Sequence, residues 1–170
     1  FYRDDAGRPA TDPTLLTQAL RRQHGDRLLL ADGFDGMFLP AGFTVRGKAA
    51  LGAGQLVLSA EAGVEAPPVF PPEQGFAIEL ELGDDAPRSA DVRLSWAGTT
   101  APFLEARVVA ASGILRLEFA DDVVTALTPG GVRTWPIPKA PAEKAGIILD
   151  AACPRDAPAP LPISSIVALG

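Results

Sequence analysis

Residues 76–82 read FAIELEL, which puts Phe76, Ile78, Leu80 and Leu82 on one side of an extended chain and Ala77, Glu79 and Glu81 on the other. Alternation with period two is the signature of a half-buried β-strand. The pattern recurs in 92–96 (VRLSW), 103–110 (FLEARVVA) and 114–119 (ILRLEF), with 84–89, 98–102 and 111–113 as turns. Together the four stretches predict an antiparallel sheet with one buried face. Val92, Leu94, Trp96, Leu104, Ala106, Val108, Leu115, Leu117 and Phe119 join the apolar side, and Arg93, Ser95, Glu105, Arg107, Arg116 and Glu118 the polar one.

Toward the N-terminus, 28–30 is a short apolar run, 32–36 (DGFDG) a turn-rich loop, and 43–46 (FTVR) a strand. Gly52-Ala53-Gly54 links that strand to the alternating 55–60 (QLVLSA), so the two read as a hairpin. Segment 61–74 contains Pro67-Pro68 and Pro71-Pro72, whose missing donors and fixed φ oppose a central strand; it reads as a surface crossing between sheets. Beyond the breaks at Asp121-Asp122, 128–131 (TPGG) and the Pro-rich 154–162, four more candidates appear at 123–127, 132–137, 147–151 and 163–169. About ten strands with closely spaced turns imply an all-β fold, an antiparallel β-sandwich (jelly roll). An α/β fold would need helical patterns between the strands, and none follows residue 25.

The first 12 residues are polar, and Asp12-Pro13 offers a helix start, with Asp at the cap and Pro at the first helical position. A short amphipathic helix is expected over 14–23, with Leu15, Leu16, Ala19 and Leu20 on one face and Gly25 as its stop. The chain thus divides into an N-terminal arm and helix, 1–25, and a sandwich domain, 26–170. So short a helix is marginal alone, and its apolar face needs the sandwich or a second copy, which would give a homo-oligomer through the N-terminal helix.

At 170 residues the chain can bury one full core. Acidic residues outnumber basic ones by 21 to 15, which argues against neutralising phosphates and so against nucleic acid as partner. Cys153 is the single cysteine, so no intrachain disulfide and no cysteine-based zinc site can form. No apolar run approaches the ~18 residues of a membrane helix, so no membrane insertion is expected. The sequence opens on Phe1 and not on Met, as a processed chain or a piece of a longer one would.

The order DGFDG (32–36), FTV (43–45), GQLVL (54–58) and FAIELEL (76–82) resembles the start of the concanavalin-A-like lectin and glucanase jelly rolls, over about residues 28–127. The resemblance implies a sandwich and points toward glycans. Hydrolytic members carry Glu-x-Asp-x-x-Glu on one strand, since retaining hydrolysis needs two carboxylates ~5–5.5 Å apart. The nearest match here is Glu79-Leu80-Glu81-Leu82-Gly83-Asp84, in which Gly83 breaks the strand and no third acid is in phase. Catalysis is therefore not expected.

Other chemistry is sparse. His24, the single histidine, stands at the end of the expected helix as a dipole partner and forms no triad. Ser164-Ser165 lacks the nucleophile elbow. The pairs Asp32 with Asp35, Asp84 with Asp85, and Asp121 with Asp122 could each offer oxygens to calcium, though none has an EF-hand register; no other cofactor is expected. Trp135, followed by Pro136 and Pro138, and Phe70, between Pro68 and Pro71, are the aromatics that rigid loops would present to a ligand, with Asp84 and Asp85 as hydroxyl acceptors; the alternative for either ring is to cap the core.

The leading expectation is a non-catalytic, lectin-like module for glycan binding or adhesion, placed extracellularly, on a cell surface or on a virion. Second is a structural or interaction subunit of a larger assembly, such as a virion, tail or surface appendage, with a protein partner. Third is a glucanase-type glycoside hydrolase acting through Glu79 and Glu81.

Overall fold

The computed structural model describes residues 2–3, 9–10, 20, 22–34, 39–59, 61–83, 89–151 and 161–170. Residues 20 and 22–24 are helical and lead into a 3-10 turn, Gly25–Arg27; the rest of the expected helix over 14–23 lies outside the described residues. In chain order the strands are β1 (Tyr2–Arg3), β2 (Pro9–Ala10), β3 (Leu28–Asp32), β4 (Thr44–Arg46), β5 (Ala49–Gly52), β6 (Gln55–Leu58), β7 (Gly63–Glu65) and β8 (Phe76–Leu82). They continue as β9 (Ser89–Trp96), β10 (Leu104–Val109), β11 (Ile114–Ala120), β12 (Val123–Thr128), β13 (Gly131–Pro136), β14 (Ile147–Ala151) and β15 (Leu161–Leu169).

β1 and β2 pair with each other, and the other strands form two antiparallel sheets. The larger runs β13-β12-β11-β8-β15-β6-β5, with β3 lying end to end with β6 along the same side of β15. The smaller runs β10-β9-β14-β7-β4. An all-β antiparallel sandwich is thus the architecture.

Apolar residues of the two inner faces meet between the sheets. Phe76, Ile78, Leu80 and Leu82 of β8, with Leu115, Leu117 and Phe119 of β11, pack toward Val92, Leu94 and Trp96 of β9 and Ile147, Leu149 and Ala151 of β14. Each is buried. At ~1.5–3 kcal/mol per large side chain removed from water, this double layer is the main force opposing chain entropy.

Three expectations are corrected. The four alternating stretches do not form one sheet: β8 and β11 are neighbours in the larger sheet, while β9 and β10 pair in the smaller. Alternation specifies a face but not which sheet owns it. The first hairpin joins β5 to β6, not 43–46 to 55–60, because β4 pairs with β7 in the other sheet. The crossing over 61–74 starts with a strand, β7, and becomes irregular only where the prolines begin.

The polar faces divide in the same way. Arg116 sits directly opposite Glu79 and forms an ion pair with it on the outside of the larger sheet. On the smaller sheet Arg93 is 3.4 Å from the opposing Glu105 and Arg107 is 3.1 Å from the opposing Asp91. These exposed pairs contribute up to ~1 kcal/mol each and fix no chemistry.

Candidate functional site

Five aromatic rings gather at one end of the sandwich. Phe76 and Phe119 stack with centroids 4.4 Å apart, Phe70 lies 5.2 Å from Phe76, and Phe103 lies 5.3 Å from Trp96. Trp96 is 6.3 Å from Phe119, closing the cluster. Over it opens a cleft of about 650 Å³, with Phe76, Trp96 and Phe119 at its base.

Three connections build the walls. Pro72 and Glu73 come from the turn before β8, Asp122 from the β11–β12 turn, and Ile137 to Glu143 from the long segment joining β13 to β14. This segment is tied at both ends. The Trp96 indole Nε1–H donates to Pro138 O at 2.9 Å, and the Ile137 N–H to Asp122 O at 2.9 Å. At the far end Phe70 and Ala145 exchange two backbone bonds, at 3.1 and 2.9 Å, and the Ala97 N–H reaches Gly146 O at 2.8 Å. Glycine is needed at 146, since a Cβ there would lie 2.8 Å from Ala66 O. Between these ties, Lys139, Ala140, Pro141, Ala142 and Glu143 line the opening.

Four charged side chains, Glu73, Asp122, Lys139 and Glu143, line the cleft, and none forms an ion pair among the described residues. Their polar ends stand around aromatic side chains whose one polar atom, the Trp96 indole N–H, is already committed to Pro138 O. Such a surface can cover the C–H face of a small polar molecule while its hydroxyls donate to carboxylates.

Trp135 stands beside this cleft. It pairs with the buried Val124, so its side chain is on the inner face of β13, the face shared by Arg133 and Ile137 through alternation. Its half-buried ring packs against the core edge, with the Arg133 guanidinium 5.1 Å from the ring centroid, a cation–π contact. Ile137, two residues on, lines the cleft.

Phe70 is not a presented ring. It is fully buried and packs on Phe76, because its bridge to Ala145 turns the side chain into the sandwich. Asp84 and Asp85 lie outside the described residues. Glu79 is occupied by Arg116, the Glu81 carboxylate accepts from Ser165 Oγ at 3.3 Å, and neither lines the cleft. The Asp32 carboxylate accepts the Phe34 N–H at 2.7 Å, and Asp35 lies outside the described residues. Among the described residues no three of His, Cys, Asp and Glu converge to hold a metal ion, and no helix is long and apolar enough to cross a membrane.

Glu73, Lys139 and Glu143 line the cleft without any sequence pattern that marks them, and Asp122, by sequence a turn residue and calcium candidate, lines it as well. The available signal was the cluster of prolines at 71–72, 136, 138 and 141, which brackets the walls.

No protein-family model matches this sequence, and no curated protein matches it. Among solved structures, the chain is similar in outline to the carbohydrate recognition domain of Emp47p, with a TM-score of 0.47 and 10% identity over 86% of this chain and 96% of that one.

Proposed function

We propose that this chain is a non-catalytic, lectin-like carbohydrate-binding module whose glycan site is the cleft at the end of the sandwich. The observation that carries the reading is an aromatic base ringed by four charged side chains that have no ion-pair partner among the described residues. A volume of about 650 Å³ suits a ligand of one or two sugar rings, within the ~300–1,000 Å³ usual for small-molecule sites. Asp122, Glu73 and Glu143 would accept hydroxyl donors, Lys139 would donate to ring or hydroxyl oxygens, and Trp135 would extend the apolar surface along β13.

A glycan array followed by calorimetry tests it. A ligand is expected, and Asp122→Asn and Trp135→Ala should each weaken it about tenfold, or ~1.4 kcal/mol. No binding across the array, or binding that neither substitution changes, sinks the assignment.

A further inference from the structure

Among the described residues β13 is an edge strand, hydrogen-bonded to β12 alone. The Ile137 N–H points at Asp122 O, and backbone groups alternate in direction along an antiparallel strand. Gly131, Arg133 and Trp135 therefore turn their backbone groups toward β12, and Val132, Thr134 and Pro136 turn theirs outward. Pro136 has no N–H, which leaves Val132 and Thr134 as the outward donors. Val132 is 71% exposed, the highest value among the large hydrophobic residues described, and Leu127 opposite it is 38% exposed. Such an edge is a template for another strand.

We infer that the strand it takes is β13 of a second copy, paired antiparallel about a two-fold axis at Thr134. In that register the two Thr134 residues exchange both their bonds, and each Val132 N–H meets the C=O of the second copy's Pro136. All four outward donors are satisfied, and the missing proline N–H leaves unpaired only the Val132 carbonyls, at the solvated ends. The side chains select the same register. Arg133, which has no carboxylate partner among the described residues, stands opposite the second copy's Trp135, and the contact each chain makes internally at 5.1 Å is extended twice across the interface. Moving the axis to Arg133 would set two guanidinium groups against each other, a destabilising like-charge pair. An unrelated peptide could match the backbone but would gain nothing from the Arg133 and Trp135 alternation.

Sedimentation velocity on the whole chain should show a dimer that dissociates on dilution. Thr134→Pro deletes an outward donor and no bond to β12, so the dimer should weaken at least tenfold while the circular dichroism spectrum is kept. Val132→Glu, which places like charge at both ends of the interface, should do the same and decides the matter if Thr134→Pro misfolds. Thr134→Cys in a Cys153→Ser chain should link into a covalent dimer under mild oxidation, since directly opposed bonded residues have Cα atoms ~5.5 Å apart, within disulfide range. A wild-type monomer at every concentration overturns the inference. So does a dimer that Thr134→Pro and Val132→Glu leave intact, or one in which Thr134→Cys does not link.

Discussion

The Asp150 carboxylate fills the space that a side chain on Gly63 would occupy: a Cβ built at Gly63 would lie 1.8 Å from Asp150 Oδ1. Gly63 is opposite Asp150 on one side and Arg46 on the other, so the missing side chain lets Asp150 reach over a whole strand to Arg46, 3.6 Å away. With Arg93 and Glu105 continuing the line, one charged row crosses the outer face of the smaller sheet. Only the glycine makes it continuous.

Gly63→Ala should therefore cost about 1–3 kcal/mol, the range for forcing a methyl into occupied space. The displaced carboxylate loses Arg46, and the new Cβ also stands 3.2 Å from Leu149 O, a backbone atom that cannot step aside. Urea denaturation of Gly63→Ala, Asp150→Ala and the double variant measures the coupling. Purely additive losses would mean that the two residues do not share the space.

Burial raises the Asp150 carboxyl above its ordinary value, outweighing the pull of Arg46 and Arg93 in the other direction, with Glu61 adding to the rise. The native state thus holds this proton more tightly than the unfolded chain. Its stabilising contribution is complete below the unfolded value, ~3.9, and is lost as pH rises through the native one. Asp150→Asn removes the buried charge, and since Arg46 is half exposed the pair given up is weak. The variant should be more stable than wild type at neutral pH by up to ~1 kcal/mol, with the gain gone in acid. Thermal melts of both proteins across that pH span check it, and a wild type that is the more stable at neutral pH would mean the ion pair outweighs burial.

Trp96 contributes both to the core and to the cleft. It is buried among Phe103 and Phe119, yet its one polar atom holds Pro138 O. Trp96→Phe keeps an aromatic core residue but frees the wall, with an expected cost of ~1–3 kcal/mol for the lost bond and vacated space. Glycan affinity should fall even at temperatures where the variant is fully folded. Unchanged affinity in a folded Trp96→Phe would show that the wall needs no such tie.

The inner faces were legible because alternation depends only on the chain itself: Phe76, Ile78, Leu80, Leu82, Leu115, Leu117 and Phe119 are all buried as their spacing predicts. Pairing was not, since β8 and β9 carry the same pattern yet belong to different sheets, a matter settled by long-range packing. Nearby prolines mark both Trp135 and Phe70 as candidate presented rings, yet Phe70 is fully buried, and Trp135 is half-buried and is not itself part of the cleft lining. The difference is the partner strand: Trp135 lies on an edge strand, while Phe70 is drawn inward by its bridge to Ala145. Glu73, Lys139 and Glu143 sit in loops whose convergence no periodicity encodes.

At the turn between β11 and β12, stability and the proposed glycan binding should respond separately. Asp121 and Asp122 both have left-handed backbones, with φ of 53° and 61°, as a two-residue type I′ turn requires, and this conformation strains any residue with a Cβ. Glycine at either position should stabilise the protein by up to ~1 kcal/mol, after allowing for its greater freedom in the unfolded chain. No ladder bond is at risk, because Ile137 is held by the main-chain oxygen of Asp122 and not by its carboxylate. Only Asp122 lines the cleft. Asp121→Gly should therefore gain stability with glycan affinity intact, while Asp122→Gly gains the same stability and loses about tenfold in affinity, ~1.4 kcal/mol. Melting temperature and calorimetric affinity, measured on both variants, separate the two roles. Equal affinities would remove Asp122 from the proposed site, whatever the melting temperatures do.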